Sequence, residues 1–118
     1  MSFAPTFEEH GGRRVLRLDF RQLGHEELLA AFVRAGEVIR AAPPDSLRIL
    51  TLLGSRFNEQ SAEAFKAYAL ANKPHVHASA VIGTAFWNVV VSSLKLRGRS
   101  DVTVFESEPA ALDWLASR

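Results

Sequence analysis

The spacing of apolar residues changes several times along the chain, and each change marks an element. Within residues 3–20, FAPTFEEHGGRRVLRLDF, the residues Leu16, Leu18 and Phe20 alternate with Arg17 and Asp19. That is the period of a strand with one buried and one polar face, near a sheet edge. The pair Gly11-Gly12 readily takes positive φ, so the stretch before it is expected to fold back as the first arm of a hairpin. Across GHEELLAAFVRAGEVIRAA the period lengthens: Leu28, Phe32, Ala35 and Ile39 recur at helical spacing, and Glu26 and Glu27 favour the first turn. Pro43-Pro44 then stops the helix, because a residue ahead of proline resists helical geometry.

LRILTLL is a short, nearly unbroken apolar run, which predicts a strand covered on both faces. NEQSAEAFKAYALAN returns to helical spacing through Ala62, Phe65 and Ala69, with Pro74 just beyond its end. HVHASAVIG reads as a further strand closed by Gly83. TAFWNVVVSSLKLRG carries the β-prone Val89, Val90 and Val91, yet its length and the stop at Gly98 predict a helix over residues 84–97. DVTVF is a last short strand. SEPAALDWLASR closes the sequence as a helix, with Ser107 as N-cap, Pro109 in the first turn and Leu112 and Leu115 facing inward.

Strands that alternate with helices are joined by right-handed crossovers into a parallel sheet. The expected fold class is therefore α/β: one domain over residues 1–118, with a mostly parallel mixed sheet of about five strands, an N-terminal β-hairpin and four helices. No linker, repeat or low-complexity segment interrupts it.

Composition removes several function classes. With 14 Lys or Arg against 13 Asp or Glu, the net charge of +1 gives no global pull toward nucleic acid, and none is expected as a partner. The absence of cysteine excludes disulfides, thiol catalysis and thiolate metal sites. The N-terminus lacks the basic start and apolar core of a secretory signal, and no run approaches the roughly 18 apolar residues of a membrane span. A cytoplasmic location without membrane insertion is the expectation.

Candidate chemistry is sparse. His75 and His77, two apart on a predicted strand, would point to one face and could share a metal. His10 and His25 lie on other elements, so no metal or other cofactor is expected. The chain has no G-x-S-x-G elbow and no glycine-rich phosphate loop, and no catalytic residue is expected. Lys95, Arg97 and Arg99 around Gly98 could contact an anion, although cations at a helix end already suit the dipole. Two features remain. In TLLGSRFN, the buried strand stops at Gly54 and is followed at once by Ser55, Arg56, Phe57 and Asn58, with Asn58 placed to cap the next helix. In the 84–97 helix, Phe86, Trp87, Val90, Val91 and Leu94, together with Val89, surround most of the axis, so something beyond the sheet must cover them. The C-terminal helix with Trp114, a second copy of the chain in a homodimer, and an apolar ligand are the three candidate coverings.

RVLRLDF, the run RILTLL leading into the Ser55 loop, FKAYALANKPHVHASAVIGTAFW and the ending VFESEPAALDWLAS resemble one family over most of the chain. These phrases are similar to the STAS/SEC14-domain proteins, also described as SpoIIAA-like, a bacterial group related to anti-sigma-factor antagonists. The resemblance implies a STAS-like α/β scaffold without catalytic residues. In the classical antagonists a serine at the start of the helix after a central strand is phosphorylated and controls partner binding. Ser55 stands at that place here, with Ser61 as a more distant candidate. The acidic residue, the paired serine and the following glycine of the family's phrase are absent from LLGSRFNEQS.

The leading expectation is a non-enzymatic interaction or regulatory domain with a protein partner, using the loop of Ser55, Arg56, Phe57 and Asn58. The alternative is a small module for an apolar or lipid-like ligand, or a dimer surface, on the 84–97 helix.

Overall fold

A computed structural model describes residues 3–55 and 57–118; Arg56 of the candidate loop lies outside the described residues. Strands β1 (Thr6–His10) and β2 (Arg13–Asp19) form an antiparallel hairpin across Gly11 and Gly12, whose φ angles of 56° and 79° are both positive. Tight two-residue hairpin turns demand that backbone, and glycine adopts it without strain. Then follow α1 (His25–Arg40), β3 (Leu47–Leu52), α2 (Glu59–Asn72), β4 (Val76–Ile82), α3 (Ala85–Leu96), β5 (Val102–Val104) and α4 (Glu108–Ala116). The element order matches the ββαβαβαβα pattern read from the sequence.

The strands lie in chain order, β1-β2-β3-β4-β5, with every neighbouring pair from β2 to β5 parallel. A sheet built by successive steps in one direction, with crossovers of one hand, sends every crossover helix to the same face. The packing follows this rule. Leu28, Phe32, Ala35 and Ile39 of α1, Ala62, Phe65 and Ala69 of α2, and Trp87, Val90, Val91 and Leu94 of α3 share one core with Leu16, Leu18 and Ile49 of the sheet. The opposite face holds a smaller core, in which Ala111 and Leu115 of α4 meet Val15, Leu50, Leu52, Ala78 and Ala80. Along β3 the alternation is direct: Leu47 and Ile49 face the three helices, while Leu50 and Leu52 face α4.

This layering corrects the expectation for the 84–97 helix. The helix carrying Trp114 packs on the other side of the sheet and does not cover it. Trp87, Val90, Val91 and Leu94, expected as a ligand or dimer surface, are at most 4% exposed, filled in by the sheet on one side and by α2 on the other. The Trp87 ring meets Phe65 and Phe57 edge-on, with centroids 5.3 and 5.6 Å apart. Only Phe86 of the five remains partly open, beside the exposed Val89. A helix clamped between a sheet and a neighbouring helix needs apolar residues on two sides, which is why its pattern runs around so much of the axis.

Burial on this face also perturbs the chain's single tyrosine. Part of Tyr68 is exposed, yet burial pushes its hydroxyl well above the ordinary value of 10, against the opposing pull of the Arg99 and Arg40 charges.

Two outcomes are expected. Trp87→Ala removes a large ring from a filled core and should cost about 3–5 kcal/mol in denaturant unfolding; Trp87→Asp should give unfolded protein rather than folded monomers in light scattering and circular dichroism. Because Tyr68 is the only tyrosine, tyrosinate absorbance reports it alone. The folded protein should show no ionisation around pH 10, while protein in denaturant should titrate there. Its raised folded value means that the contribution to stability is intact below the ordinary tyrosine range and falls away as pH rises beyond it.

Candidate functional site

The Ser55 loop connects the carboxyl end of β3 to the start of α2. Its two ends are fixed by different means. Gly54 lies against the turn that follows β2: a Cβ on it would stand 2.8 Å from the Arg21 carbonyl oxygen, so only glycine allows that approach. Its own carbonyl accepts a 2.8 Å hydrogen bond from the Trp87 indole Nε1–H, which ties the loop to α3. At the other end Asn58 is the N-cap of α2. Asn58 Oδ1 accepts from the Ser61 backbone N–H at 2.9 Å, and the Asn58 backbone N–H donates to Ser61 Oγ at 2.8 Å. This reciprocal pair is a capping box that uses serine where glutamate or glutamine is usual.

Between these anchors Ser55 is exposed. Phe57 turns inward instead, stacking on Phe86 with centroids 3.8 Å apart and planes 13° from parallel. The two candidate features of the sequence, the loop and the start of the 84–97 helix, are therefore in contact. Ser61 is fully buried and its hydroxyl is occupied by the cap. No modifying enzyme could reach it in the folded chain, which leaves Ser55 as the accessible hydroxyl of the pair.

The turn that touches Gly54 belongs to a charged cluster. Arg21 is bound twice by the Asp19 carboxylate, at 2.9 and 2.7 Å, and lies 3.8 Å from Glu108, which also pairs with Arg17 at 2.8 Å. The hydrogen bond from Arg21 holds the Asp19 carboxyl below the usual carboxylate value. Every charge in this cluster has an opposite neighbour, so it serves as a support for the turn rather than as a site with spare valence.

The other candidates separate. His75 Nδ1 lies 2.8 Å from the Ala42 carbonyl and His77 Nδ1 lies 3.2 Å from Asp45 Oδ1, so both histidines fasten the α1–β3 connection. His75 sits in a short helical turn before β4 and not on the strand. Among the described residues no group of three or more His, Cys, Asp or Glu is placed to hold a metal ion. Of the three cations around Gly98, Arg99 is 3% exposed and cannot meet an outside anion. Gly98, at φ 101°, reverses the chain and sends Arg99 inward, where it binds Asp101 at 2.9 and 2.7 Å and donates to the Ala69 carbonyl. Lys95 and Arg97 stay outside. Sequence reasoning missed this inward arginine and the buried Ser61; the spacing of Ser61 three residues after Asn58 was the available signal for the latter.

No protein-family model and no curated protein matches the chain. Among solved structures, the crystal structure of an uncharacterised protein of the DUF3478 family from Shewanella loihica PV-4, described as having a SpoIIAA-like fold, superposes with a TM-score of 0.71. The alignment covers 97% of this chain and 94% of that one. The chain has a SpoIIAA-like fold. With 17% of positions identical, the likeness is one of architecture. It supports the α/β scaffold read from the sequence and says nothing of SEC14-type or anti-sigma function. No helix among the described residues is long and apolar enough to cross a membrane.

The two serines should differ in their response to substitution. Asn58→Ala removes the cap acceptor and should cost about 1 kcal/mol in urea unfolding, and Ser61→Ala should also destabilise. Ser55→Ala, at an exposed position between the anchors, should stay within about 0.5 kcal/mol of the parent.

Proposed function

We propose that the chain is a non-catalytic interaction domain whose partner surface is the Ser55 loop with the start of α2, regulated by phosphorylation of Ser55. One observation carries this reading: Ser55 is the exposed hydroxyl on a loop fixed at both ends, directly ahead of an N-capped helix. The SpoIIAA-like fold adds support, since the family that the sequence resembles keeps its switch serine between a central strand and the following helix.

A phosphate on Ser55 adds close to two negative charges near a helix N-terminus. The N-terminal end of the α2 dipole favours such a charge, and the exposed position lets it alter a partner's contact without unfolding the cap. The side chains Trp87, Val90, Val91 and Leu94, which would have offered an apolar ligand its surface, are interior, and nothing in their packing favours the lipid-like alternative.

Affinity capture from lysate of the source organism, with Ser55→Asp and Ser55→Ala compared side by side, tests the proposal. The expected result is a defined protein retained by one variant and lost by the other, with both variants folded, and a phosphorylated Ser55 peptide in protein isolated from its native cell. Unmodified Ser55 under all growth conditions, together with identical partners for both variants, would sink it.

A further inference from the structure

The larger core is not wholly apolar. A cavity of about 20 Å³ lies under α2, lined by Thr51 of β3, Ser79 of β4, Asn72 at the end of α2, Tyr68 and Arg99 among apolar neighbours. Thr51, Ser79 and Asn72 are 4%, 7% and 1% exposed, so all three lie in the interior. Asn72 fixes the chemistry of this space. Its Oδ1 accepts a 3.0 Å hydrogen bond from the Arg40 guanidinium at the end of α1. That bond sets the amide orientation, because the flipped amide would turn its NH2 group against another donor. Asn72 Nδ2 is then a buried donor without a protein partner.

Buried amide donors are almost always satisfied, by protein or by an ordered water. The space suits the second solution. A water needs roughly 10–15 Å³ and about two to four polar partners, and the cavity is lined by Asn72, Thr51 and Ser79, whose side chains carry an amide donor and two hydroxyls that both donate and accept. It is too small for an organic ligand. A counter-ion is not called for either, because Asp101 already neutralises Arg99 through two hydrogen bonds.

We propose that this cavity binds one internal water molecule, which accepts the Asn72 Nδ2 hydrogen and bonds to the hydroxyls of Thr51 and Ser79. The water joins groups that make no direct contact of their own. Through the Arg40–Asn72 bond it links the ends of α1 and α2 to two central strands, and it turns an orphaned donor into a cross-brace of the core.

A crystal structure of the full chain, grown with bromide in the solution, tests the site without any substitution. Expected is one water peak within hydrogen-bond distance of Asn72 Nδ2 and no anomalous bromide signal there. In solution, ¹⁵N-labelled protein should show a long-lived water cross-peak to the Asn72 side-chain amide protons. Thr51→Val keeps the side-chain shape and removes one bond to the water, and should raise the unfolding equilibrium constant about fivefold. A dry cavity, a bromide peak, or a Thr51→Val chain as stable as the parent overturns the proposal.

Discussion

The direction in which the sheet grows decides where every other part of the molecule can go. From β2 to β5 each new parallel strand is added on the same side of the last, and crossovers of one hand must then lay α1, α2 and α3 on one face. Three helices over a sheet of this width are forced into lateral contact. Phe32 and Phe65, from α1 and α2, meet with centroids 5.6 Å apart, and Phe65 meets Trp87 of α3 at 5.3 Å. The other face receives only α4, whose small Ala111 sits over Ala78 and Ala80 in the second core. The two cores differ in size because the topology gives one of them three helices and the other one.

Trp87 converts that layering into a defined loop. Its ring is held by α2 and the sheet, and its indole N–H reaches the Gly54 carbonyl at the end of β3. Gly54 in turn lies against the backbone of Arg21. The carboxyl ends of β2 and β3 and the start of α3 are thereby locked together by one side chain and one missing side chain. The capping box at Asn58 and Ser61 closes the far end. An exposed residue in such a frame keeps its position when it is modified, whereas a modification at Ser61 would break the frame itself.

Much of this architecture was legible in the sequence, because periodic burial leaves a periodic trace. The stripe Leu28, Phe32, Ala35, Ile39 and the run LRILTLL each have a simple relation to one or two covered faces, and both fell where expected. The residues that misled are those whose environment comes from far along the chain. Trp87 and the valines after it showed that the helix was covered on more than one side. A single sequence does not say whether the second cover is α2, α4 or another molecule. Arg99 shared a basic segment with Lys95 and Arg97, and only the positive φ of Gly98 separates an inward cation from two outward ones. Sheet order was likewise silent, since β-strand patterns record faces and not neighbours.

The candidate site follows the same division. Gly54 and Asn58 could be read locally, one as a strand end and the other as a cap, and both hold those roles. The difference between Ser55 and Ser61 could not, because it depends on how the helix start closes on itself: the third helical position turns its hydroxyl back onto the cap, while the loop residue faces out. Two serines six residues apart are thus assigned to different work by one hydrogen-bonded turn. Accessibility separates Ser55 from Ser61. A residue that neither packs nor caps contributes little to stability, so any cost of changing it would have to arise in what the protein meets.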